Sequence, residues 1–339
     1  MGVSNRTIRI AFIGGNGHHY LRGVLGTTPG TNFEIAVASD GHDADAAKRW
    51  WEAQRATPAG AGAQWYDDGK AMLDTFRPQL ASVGAVYGFN GDWNVELLGR
   101  NIPTASDKPV AATWEQLDNL KALVAEDSSR VLLTEFDFRC RPEFRAARDA
   151  VAQGLIGDVA LATAQKSYRW GKRAAWYADR RQYGGTLMWV ASHGIDGIEF
   201  VTGRRIEKVS GTGGNVTKPE MGTMEDHVAI VGTLQGGGTM VAHADFLRPM
   251  ATATHGDDRL RVIGSKGLIE IANGRAVLTT HTEPAIDIND RAKNVRPIGQ
   301  EFFAAMTAEA SAIYSTAESL RTAELLLRVR DATDGRIWL

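Results

Sequence analysis

The chain has one cysteine, Cys140, among 339 residues, which excludes an intramolecular disulfide. Its formal net charge is only −2, so it lacks the basic excess that marks nucleic-acid-binding proteins. No apolar run approaches the roughly 18 residues of a membrane-spanning helix. The first residues, MGVSNRTIRI, lack the long apolar core of a secretory signal. We therefore expect a cytoplasmic protein without nucleic-acid or membrane partners.

The rest of the composition is that of an ordinary globular protein, with 43% hydrophobic and 23% charged residues. A chain of 339 residues is too long for one core, so we expect two domains. In the first third, strand and helix candidates alternate, which predicts βαβ crossovers and a parallel sheet. The strand candidates are Thr7–Ile13, Phe33–Ser39, Leu80–Tyr87, Thr104–Ser106 and Arg130–Phe136. Helices are predicted over Asp43–Gln54 and after a capping box at Thr113 and Gln116.

The pattern changes beyond the first third, where strand candidates follow one another with glycine-rich turns between them. This succession predicts a mostly antiparallel sheet, and the predicted fold class is therefore α/β with two different sheets. The strand candidates are Asp158–Tyr168, Lys208–Gly213, His227–Leu234, Thr239–Phe246, Leu260–Gly264 and Leu268–Ile271. Helices are predicted over Pro142–Gln153, Glu301–Tyr314 and Ala317–Val329, and Pro284–Pro297 is predicted to be a loop.

A glycine-rich turn follows the first strand candidate. Its six residues are Gly14, Gly15, Asn16, Gly17, His18 and His19. Between a strand and a helix, such a turn can bind pyrophosphate, because glycine lets the backbone approach the phosphates and the helix N-terminus offers N–H groups. The usual fingerprint is G-x-G-x-x-G, and read from Gly14 its second and third glycine positions hold Asn16 and His19. A simple tight turn is the alternative interpretation.

An aspartate, Asp40, ends the second strand candidate. An acidic residue at this place accepts hydrogen bonds from the adenosine ribose and disfavours a 2′-phosphate. Gly41 follows, where an arginine would have suited NADP. These residues favour NAD as the cofactor, with NADP as the alternative.

Six segments, in this order and spacing, resemble the glucose–fructose oxidoreductase / inositol dehydrogenase / MocA (Gfo/Idh/MocA) family. They are Ile8–Gly17, YDDGKAMLDTFRP (66–78), Asp107-Lys108-Pro109, FRAARDAVAQGLIGD (144–158), the Gly184-Gly185-Thr186-Leu187 segment that leads into His193 and Asp196, and RVIGSKGLIE (261–270). The resemblance implies an N-terminal Rossmann domain, 1–129, and a C-terminal α/β domain, 130–339. The second domain would have a large, mostly antiparallel open sheet of the kind often used for oligomer contacts.

The resemblance also implies a chemistry. Lys108 would hydrogen-bond the reacting hydroxyl and stabilise the developing alkoxide, and His193 would take the proton as general base. A surface lysine and a core histidine are the alternatives. The residues assigned to cofactor binding are Gly14, Gly15, Asn16, Gly17, His18, His19, Asp40, Asn90, Trp93, Asp107 and Lys108. Substrate binding is assigned to Tyr168, Trp176, Arg180, Trp189, His193 and Asp196.

One departure from the family pattern concerns the residue four positions before His193. Many family members have Asp-x-Gly-x-His there, whereas this chain has Trp189 in place of the aspartate. An indole can stack on a sugar ring but cannot accept a proton. Asp196 and Asp137 are therefore the candidates for orienting His193. Two other interpretations stay open: catalysis through Lys108 with a weak base, and loss of catalysis.

We predict an NAD(P)-dependent oxidoreductase that transfers a hydride between nicotinamide and a hydroxyl or keto carbon of a sugar, polyol or related cyclic alcohol. An enzyme that retains NAD for redox-neutral elimination or glycoside cleavage is one alternative, and a non-catalytic dinucleotide sensor is another. The eight histidines are scattered, which predicts no metal site. A homodimer or homotetramer is expected, because an open sheet face would leave apolar surface in water.

Overall fold

The computed structural model describes residues 6–307 and 313–334, which form two compact units. The first unit comprises residues 1–135 and 297–324, and the second comprises residues 136–296 and 325–339. The domain bounds 1–129 and 130–339 stay a prediction, because compactness does not establish which segments fold independently. No helix among the described residues is both long and apolar enough to cross a membrane.

The first unit is built on a parallel sheet. Its strands are β1 (Arg6–Ile13), β2 (Thr31–Ala38), β3 (Gln64–Tyr66), β4 (Leu80–Val83), β5 (Thr104–Ser106) and β6 (Leu132–Thr134), and its first helices are α1 (Ala44–Arg55), α2 (Gly69–Phe76), α3 (Asn90–Gly99) and α4 (Trp114–Glu126). The six strands lie in the order β3-β2-β1-β4-β5-β6, and every neighbouring pair is parallel. The predicted capping box at Thr113 and Gln116 is formed at the start of α4. The carboxyl ends of these strands therefore share one edge of the sheet, where the candidate residues lie.

The second unit is built on an eight-stranded sheet. Its helices are α5 (Pro142–Ala152), α6 (Arg180–Tyr183) and α7 (Ser192–Thr202), and its strands are β7 (Val159–Arg169), β8 (Ile206–Gly214), β9 (His227–Leu234), β10 (Thr239–Arg248), β11 (Gly256–Gly264), β12 (Gly267–Ala272), β13 (Arg275–Thr280) and β14 (Ile286–Asp287). Their order is β14-β13-β12-β11-β7-β10-β9-β8. Only β7 and β10 pair in parallel. The predicted fold class, with one parallel and one mostly antiparallel sheet, is confirmed.

The segment after the glycine-rich turn differs from the expected strand–turn–helix unit. Only a five-residue 3-10 helix, Tyr20–Val24, lies between β1 and β2. Helix α8 (Ile298–Met306) packs on it so closely that a Cβ added to Gly299 would lie 2.3 Å from the carbonyl oxygen of Tyr20. The C-terminal α8 thus covers the part of the first unit where the longer helix was expected.

Several predicted element bounds were wrong. The Leu80–Tyr87 strand ends at Val83 and is followed by the 3-10 helix Tyr87–Phe89, because Gly84 packs backbone to backbone on Gly17. The Arg130–Phe136 strand is only Leu132–Thr134. The Pro284–Pro297 loop contains β14, and β13 was missed. Part of the predicted Glu301–Tyr314 helix lies outside the described residues, and the final helix, α9, is Thr316–Thr333.

Candidate functional site

The glycines of the turn are required by packing inside the first unit. Gly14 has φ +82°, and a Cβ on it would lie 2.4 Å from the carbonyl oxygen of Gly84. A Cβ on Gly15 would lie 2.3 Å from the carbonyl oxygen of Ala46 in α1, and one on Gly17 would lie 2.5 Å from the Cα of Gly84. The turn is therefore fixed against β4 and α1, with Asn16 N–H and Gly17 N–H both donating to Gly84 O.

Asn16 supplies the feature of this turn that fits a bound cofactor. Its side-chain Nδ2 is buried and has no acceptor among the described residues. Buried donors are normally satisfied, so an unpaired amide indicates a missing acceptor. A phosphate or ribose oxygen of a dinucleotide would supply one. The short Tyr20–Val24 helix does not contribute the helix-dipole site that the fingerprint normally includes.

Lys108 is buried, with 1% of its surface exposed, and its ammonium is held by two neighbours. Its Nζ lies 2.9 Å from Oδ1 of Asp107 and 3.2 Å from Nδ1 of His18. His18 also donates its backbone N–H to Oδ2 of Asp107 at 2.9 Å, and its ring Nδ1 lies 2.9 Å from the same oxygen. Although burial opposes it, the charge of Lys108 and the interaction with His18 lower the pKa of Asp107. This arrangement connects the glycine-rich turn to the Asp-Lys-Pro segment, whose Lys108–Pro109 bond is cis.

Two asparagines on α3 hold the backbone around Lys108. Asn90 accepts from the N–H of Ala85 at 3.0 Å and donates through Nδ2 to the carbonyl oxygen of Asp107 at 3.1 Å. Asn94, one turn later, donates to Ser106 Oγ and to the carbonyl oxygen of Val110, both at 2.9 Å. Asn90 thus has a positioning role, and Asn94 was missed. Their i, i+4 spacing, which puts both on one helix face, is the signal that could have found Asn94.

A buried acid, Glu135, was also missed. It follows β6, is fully buried, and accepts from Tyr20 N–H through Oε1 at 3.2 Å, while its Oε2 has no partner among the described residues. Burial first, and then the charge of Asp107, raise its pKa well above the usual value. Glu135 directly follows a parallel strand, as Asp107 does after β5. This position is the signal that could have identified Glu135 from the sequence.

His19, assigned to cofactor binding from the sequence, is hydrogen-bonded inside the first unit. Its Nε2 lies 3.2 Å from the carbonyl oxygen of Gly14 and donates to it. Burial lowers the pKa of His19 to about 4, so its Nδ1 is an acceptor at neutral pH. Ser82 Oγ, 2.8 Å away, donates to Nδ1.

Asp40 is placed differently from the expectation of an open ribose ligand. Only 3% of its surface is exposed, and it accepts three backbone N–H bonds, from His42, Asp43 and Val86. The carboxylate therefore connects the end of β2 to the segment after β4. Most of its acceptor capacity is already used, so its contact with ribose stays a prediction.

Trp93 packs inside the first unit. Its indole N–H donates to the carbonyl oxygen of Asp40 at 3.2 Å, and a Cβ on Gly69 would lie 2.4 Å from the indole ring. The side chain thereby fixes α3 against the start of α2. The contact between Trp93 and the cofactor stays a prediction.

In the second unit, His193 is buried on α7 and lies beside Asp137. Its Nδ1 is 3.2 Å from Oδ1 of Asp137. Two rings flank the imidazole, Phe136 at 5.7 Å and Phe138 at 5.3 Å between ring centroids. A carboxylate near Nδ1 favours the tautomer with the proton on that nitrogen, which leaves Nε2 to accept one. Of the two acids that the sequence offered as candidates for orienting His193, Asp137 is the one that lies beside it.

Asp137 belongs to a larger buried ionic cluster that includes Lys166, a residue missed by sequence reasoning. Arg141 bridges Asp137 at 2.6 Å and Asp258 at 3.0 Å, and Lys166 Nζ lies 2.9 Å from Asp258. Although burial opposes it, the interaction with His193 and the charge of Arg141 lower the pKa of Asp137. The carboxylate is therefore ionised next to the imidazole over the whole neutral range.

Trp189 lies in a π-helical turn, Leu187–Ala191, immediately before α7. The four-residue spacing to His193 therefore crosses a change of helical pitch, so the rule that residues four apart share one face of an α-helix does not apply to this pair. Only 8% of Trp189 is exposed. The insertion of a π turn next to a candidate base is typical of functional sites.

Two predicted substrate residues are engaged in ion pairs. Asp196 forms a bidentate pair with Arg139, with Nη2 at 2.6 Å and Nε at 3.0 Å. Arg180 pairs with Glu225 at 2.8 Å and with Asp334 at 2.7 Å. Tyr168 stacks on His255 with ring centroids 5.0 Å apart, and Trp176 stacks on Tyr177 at 4.5 Å. Tyr168 and Trp176 are half-buried and stay candidates.

Comparisons with known proteins agree with this architecture. Residues 144–270 match the model of the GFO/IDH/MocA C-terminal domain. A curated relative, D-glucoside 3-dehydrogenase of Escherichia coli (strain K12), is 26% identical over 155 residues, which is 45% of this chain and 44% of that protein. The match thus spans less than half of the length of this relative.

Solved structures match over nearly the whole chain. A Thermotoga maritima protein described as an oxidoreductase is 27% identical, with a TM-score of 0.86 over 96% of this chain and 98% of its own. Levoglucosan dehydrogenase, in complex with NADH and L-sorbose, shares the fold with a TM-score of 0.77 at 14% identity, over 98% of both chains. Residues 144–270 thus carry the C-terminal domain of the Gfo/Idh/MocA family, and the fold shared with the solved structures agrees with the resemblance found in the sequence.

Proposed function

We propose that this protein is a nicotinamide-dependent dehydrogenase that oxidises a hydroxyl of a sugar, polyol or related cyclic alcohol, or reduces the corresponding ketone. The observation that carries the proposal is the buried ammonium of Lys108, held 2.9 Å from Asp107 and 3.2 Å from His18 of the glycine-rich turn. A cation fixed beside a dinucleotide-type turn suits an oxygen that gains negative charge during hydride transfer.

The proposed roles follow from the chemistry of each group. Lys108 donates a hydrogen bond to the reacting oxygen and stabilises its negative charge in the transition state. His193, with Asp137 at its Nδ1, takes the hydroxyl proton on Nε2 and returns it in the reverse reaction. The bound nicotinamide accepts or supplies the hydride. The turn residues, with the unpaired amide of Asn16, would hold the dinucleotide.

The cofactor is proposed to be NAD. The side chain of Asp40 accepts hydrogen bonds from three backbone N–H groups, and Gly41 provides no cation for a 2′-phosphate. The names of the two relatives above, a glucoside dehydrogenase and a levoglucosan dehydrogenase with NADH, support both the cofactor and a carbohydrate-type substrate.

We also propose that the chain forms a homodimer or homotetramer through the outer face of the eight-stranded sheet. Val231 is 47% exposed and Leu247 is 45% exposed on strands of this sheet. A depression of about 580 Å³, lined in part by Gln165, His243 and Arg261, lies on the same sheet. Apolar side chains and a recess on one face are typical of an interface.

The test is the absorbance of reduced nicotinamide while the purified protein, with NAD or NADP, meets a panel of cyclic polyols, aldoses and anhydrosugars. We expect turnover with at least one member. Lys108→Ala should reduce kcat by about 100-fold or more while dinucleotide affinity stays unchanged. Turnover that survives in Lys108→Ala would remove the lysine from the mechanism. Dinucleotide binding without any net reduction would favour internally recycled NAD or a sensor.

A further inference from the structure

Two arginines at the carboxyl end of β7 have no carboxylate partner. Arg169 donates through Nε to Thr252 Oγ1 at 3.2 Å, and Arg173 donates to the carbonyl oxygen of Arg169 at 3.3 Å. Within residues 6–307 and 313–334, neither guanidinium has an acidic side chain at ion-pair distance. We call Arg169 and Arg173 the β7-end arginine pair.

Several other arginines of the second unit have carboxylate partners. Arg139, Arg141 and Arg180 each have a carboxylate at 2.6 to 2.8 Å. Arg248, on the neighbouring strand β10, pairs with Asp257 at 3.2 Å. The β7-end arginine pair differs from these arginines, because no carboxylate of the described residues lies at ion-pair distance from it.

Aromatic rings surround Arg173. Its Cζ lies 4.8 Å from the ring centroid of Phe246, 5.5 Å from that of Tyr177 and 5.8 Å from that of Trp170. Its Nε is buried without an acceptor, although the residue as a whole is half-buried. Aromatic walls hold the guanidinium in place and exclude water, which strengthens its attraction for an anion.

The strand that carries Arg169 also contacts the residues around His193, through Lys166. Lys166, on the same strand, has its Nζ 4.6 Å from the ring of Phe138, which in turn packs on His193. The same Nζ lies 5.1 Å from Tyr168, whose ring stacks on His255. The pKa of His255 is lowered by burial and by the charges of Arg173, Arg169 and Lys166, so three cations influence one ring.

We propose that the β7-end arginine pair binds the anionic group of an acidic sugar, a carboxylate or a phosphate, next to the half-buried indole of Trp170. The proposal rests on the proposed function and specifies its substrate class. A guanidinium offers two parallel N–H donors, which match the oxygens of a carboxylate or phosphate. An indole face suits the apolar face of a sugar ring.

The test is calorimetric binding of three probes to the full chain at low salt: D-glucuronate, D-glucose 6-phosphate and D-glucose. We expect at least one acid to bind about tenfold or more tightly than glucose, as for hydrogen bonds to a charged group. Arg173→Gln should remove this preference without changing the affinity for glucose. The acid that binds more tightly identifies the anionic group as a carboxylate or a phosphate.

Lys172→Gln is the matched control, because it removes the same charge from the adjacent, exposed position. Arg173→Lys keeps the charge but removes the two parallel N–H donors of the guanidinium, so it should retain only part of the preference for acids over glucose. Equal affinity for acids and glucose, no binding of either acid, or an equal loss in Lys172→Gln would overturn the proposal. Turnover of neutral polyols alone would support the proposed dehydrogenase and refute the acidic substrate. Acid binding without turnover would support the anion site and refute the proposed dehydrogenase.

Discussion

The Nδ1 atom of His193 lies 3.2 Å from Oδ1 of Asp137, although 56 positions separate the two residues in the sequence. Where many family members have an aspartate four residues before the histidine, this chain has Trp189. Of the two acids that the sequence offered as a substitute, Asp196 is held by Arg139. Asp137 is the one that lies beside the imidazole.

Asp137→Asn is therefore expected to reduce kcat strongly. An amide at this place no longer favours the tautomer in which Nε2 accepts a proton, and the analogous change in a catalytic triad costs about 10⁴ in kcat. KM should change little, because Asp137 acts through His193. Steady-state kinetics across pH 6–9 provide the measurement. Asp258→Asn is the control, since Asp258 also pairs with Arg141 but not with His193; an equal loss there would assign the effect to the ionic cluster as a whole.

Glu135→Gln is expected to be at least as stable as the wild type at pH 7, because burial raises the pKa of the acid whereas the amide is neutral at every pH. Ser82→Ala removes the donor to Nδ1 of His19 and should cost about 1–3 kcal/mol. Denaturant unfolding of both variants provides the measurement.

The pH dependence of stability, compared between the wild type and Glu135→Gln, is a sharper readout. Because the pKa of Glu135 is raised in the folded protein, the wild type should lose stability relative to Glu135→Gln as pH rises above the ordinary value of 4.5. A large destabilisation of Glu135→Gln at neutral pH would mean instead that Glu135 is an ionised partner of Lys108.

His19 is expected to make the first unit sensitive to acid. Its pKa is lowered from 6.5 to about 4 by burial. Between pH 6.5 and 4 the unfolded chain therefore binds a proton on His19 that the folded protein does not bind. The contribution of His19 to stability is complete above pH 6.5 and is lost as pH falls towards 4. The shift corresponds to about 3 kcal/mol. Unfolding midpoints between pH 7.5 and 4.5 should fall less steeply in His19→Gln, while His281→Gln, at an exposed position, should follow the wild type.

The sequence predicted the elements that have strong local signals. The alternation of β1 to β6 with helices, the Thr113 capping box and the position of Lys108 after β5 are confirmed or consistent with the structure. Glu135 and Asn94 were missed because their partners come from other strands and turns, which local patterns do not locate. The length of the Tyr20–Val24 helix was unpredictable for the same reason: α8, from far along the chain, packs there.

Assembly through the eight-stranded sheet gives the last prediction. Val231 lies on β9, where exposed and buried residues alternate, so its side chain points to the outer face. Val231→Glu adds charge to a surface that we propose is buried between copies, and should shift the protein towards the monomer in light scattering coupled to gel filtration. Val216→Glu is the control, because Val216 is 77% exposed in a turn outside the sheet strands. Dissociation by both variants, or a monomeric wild type, would contradict an interface on this face.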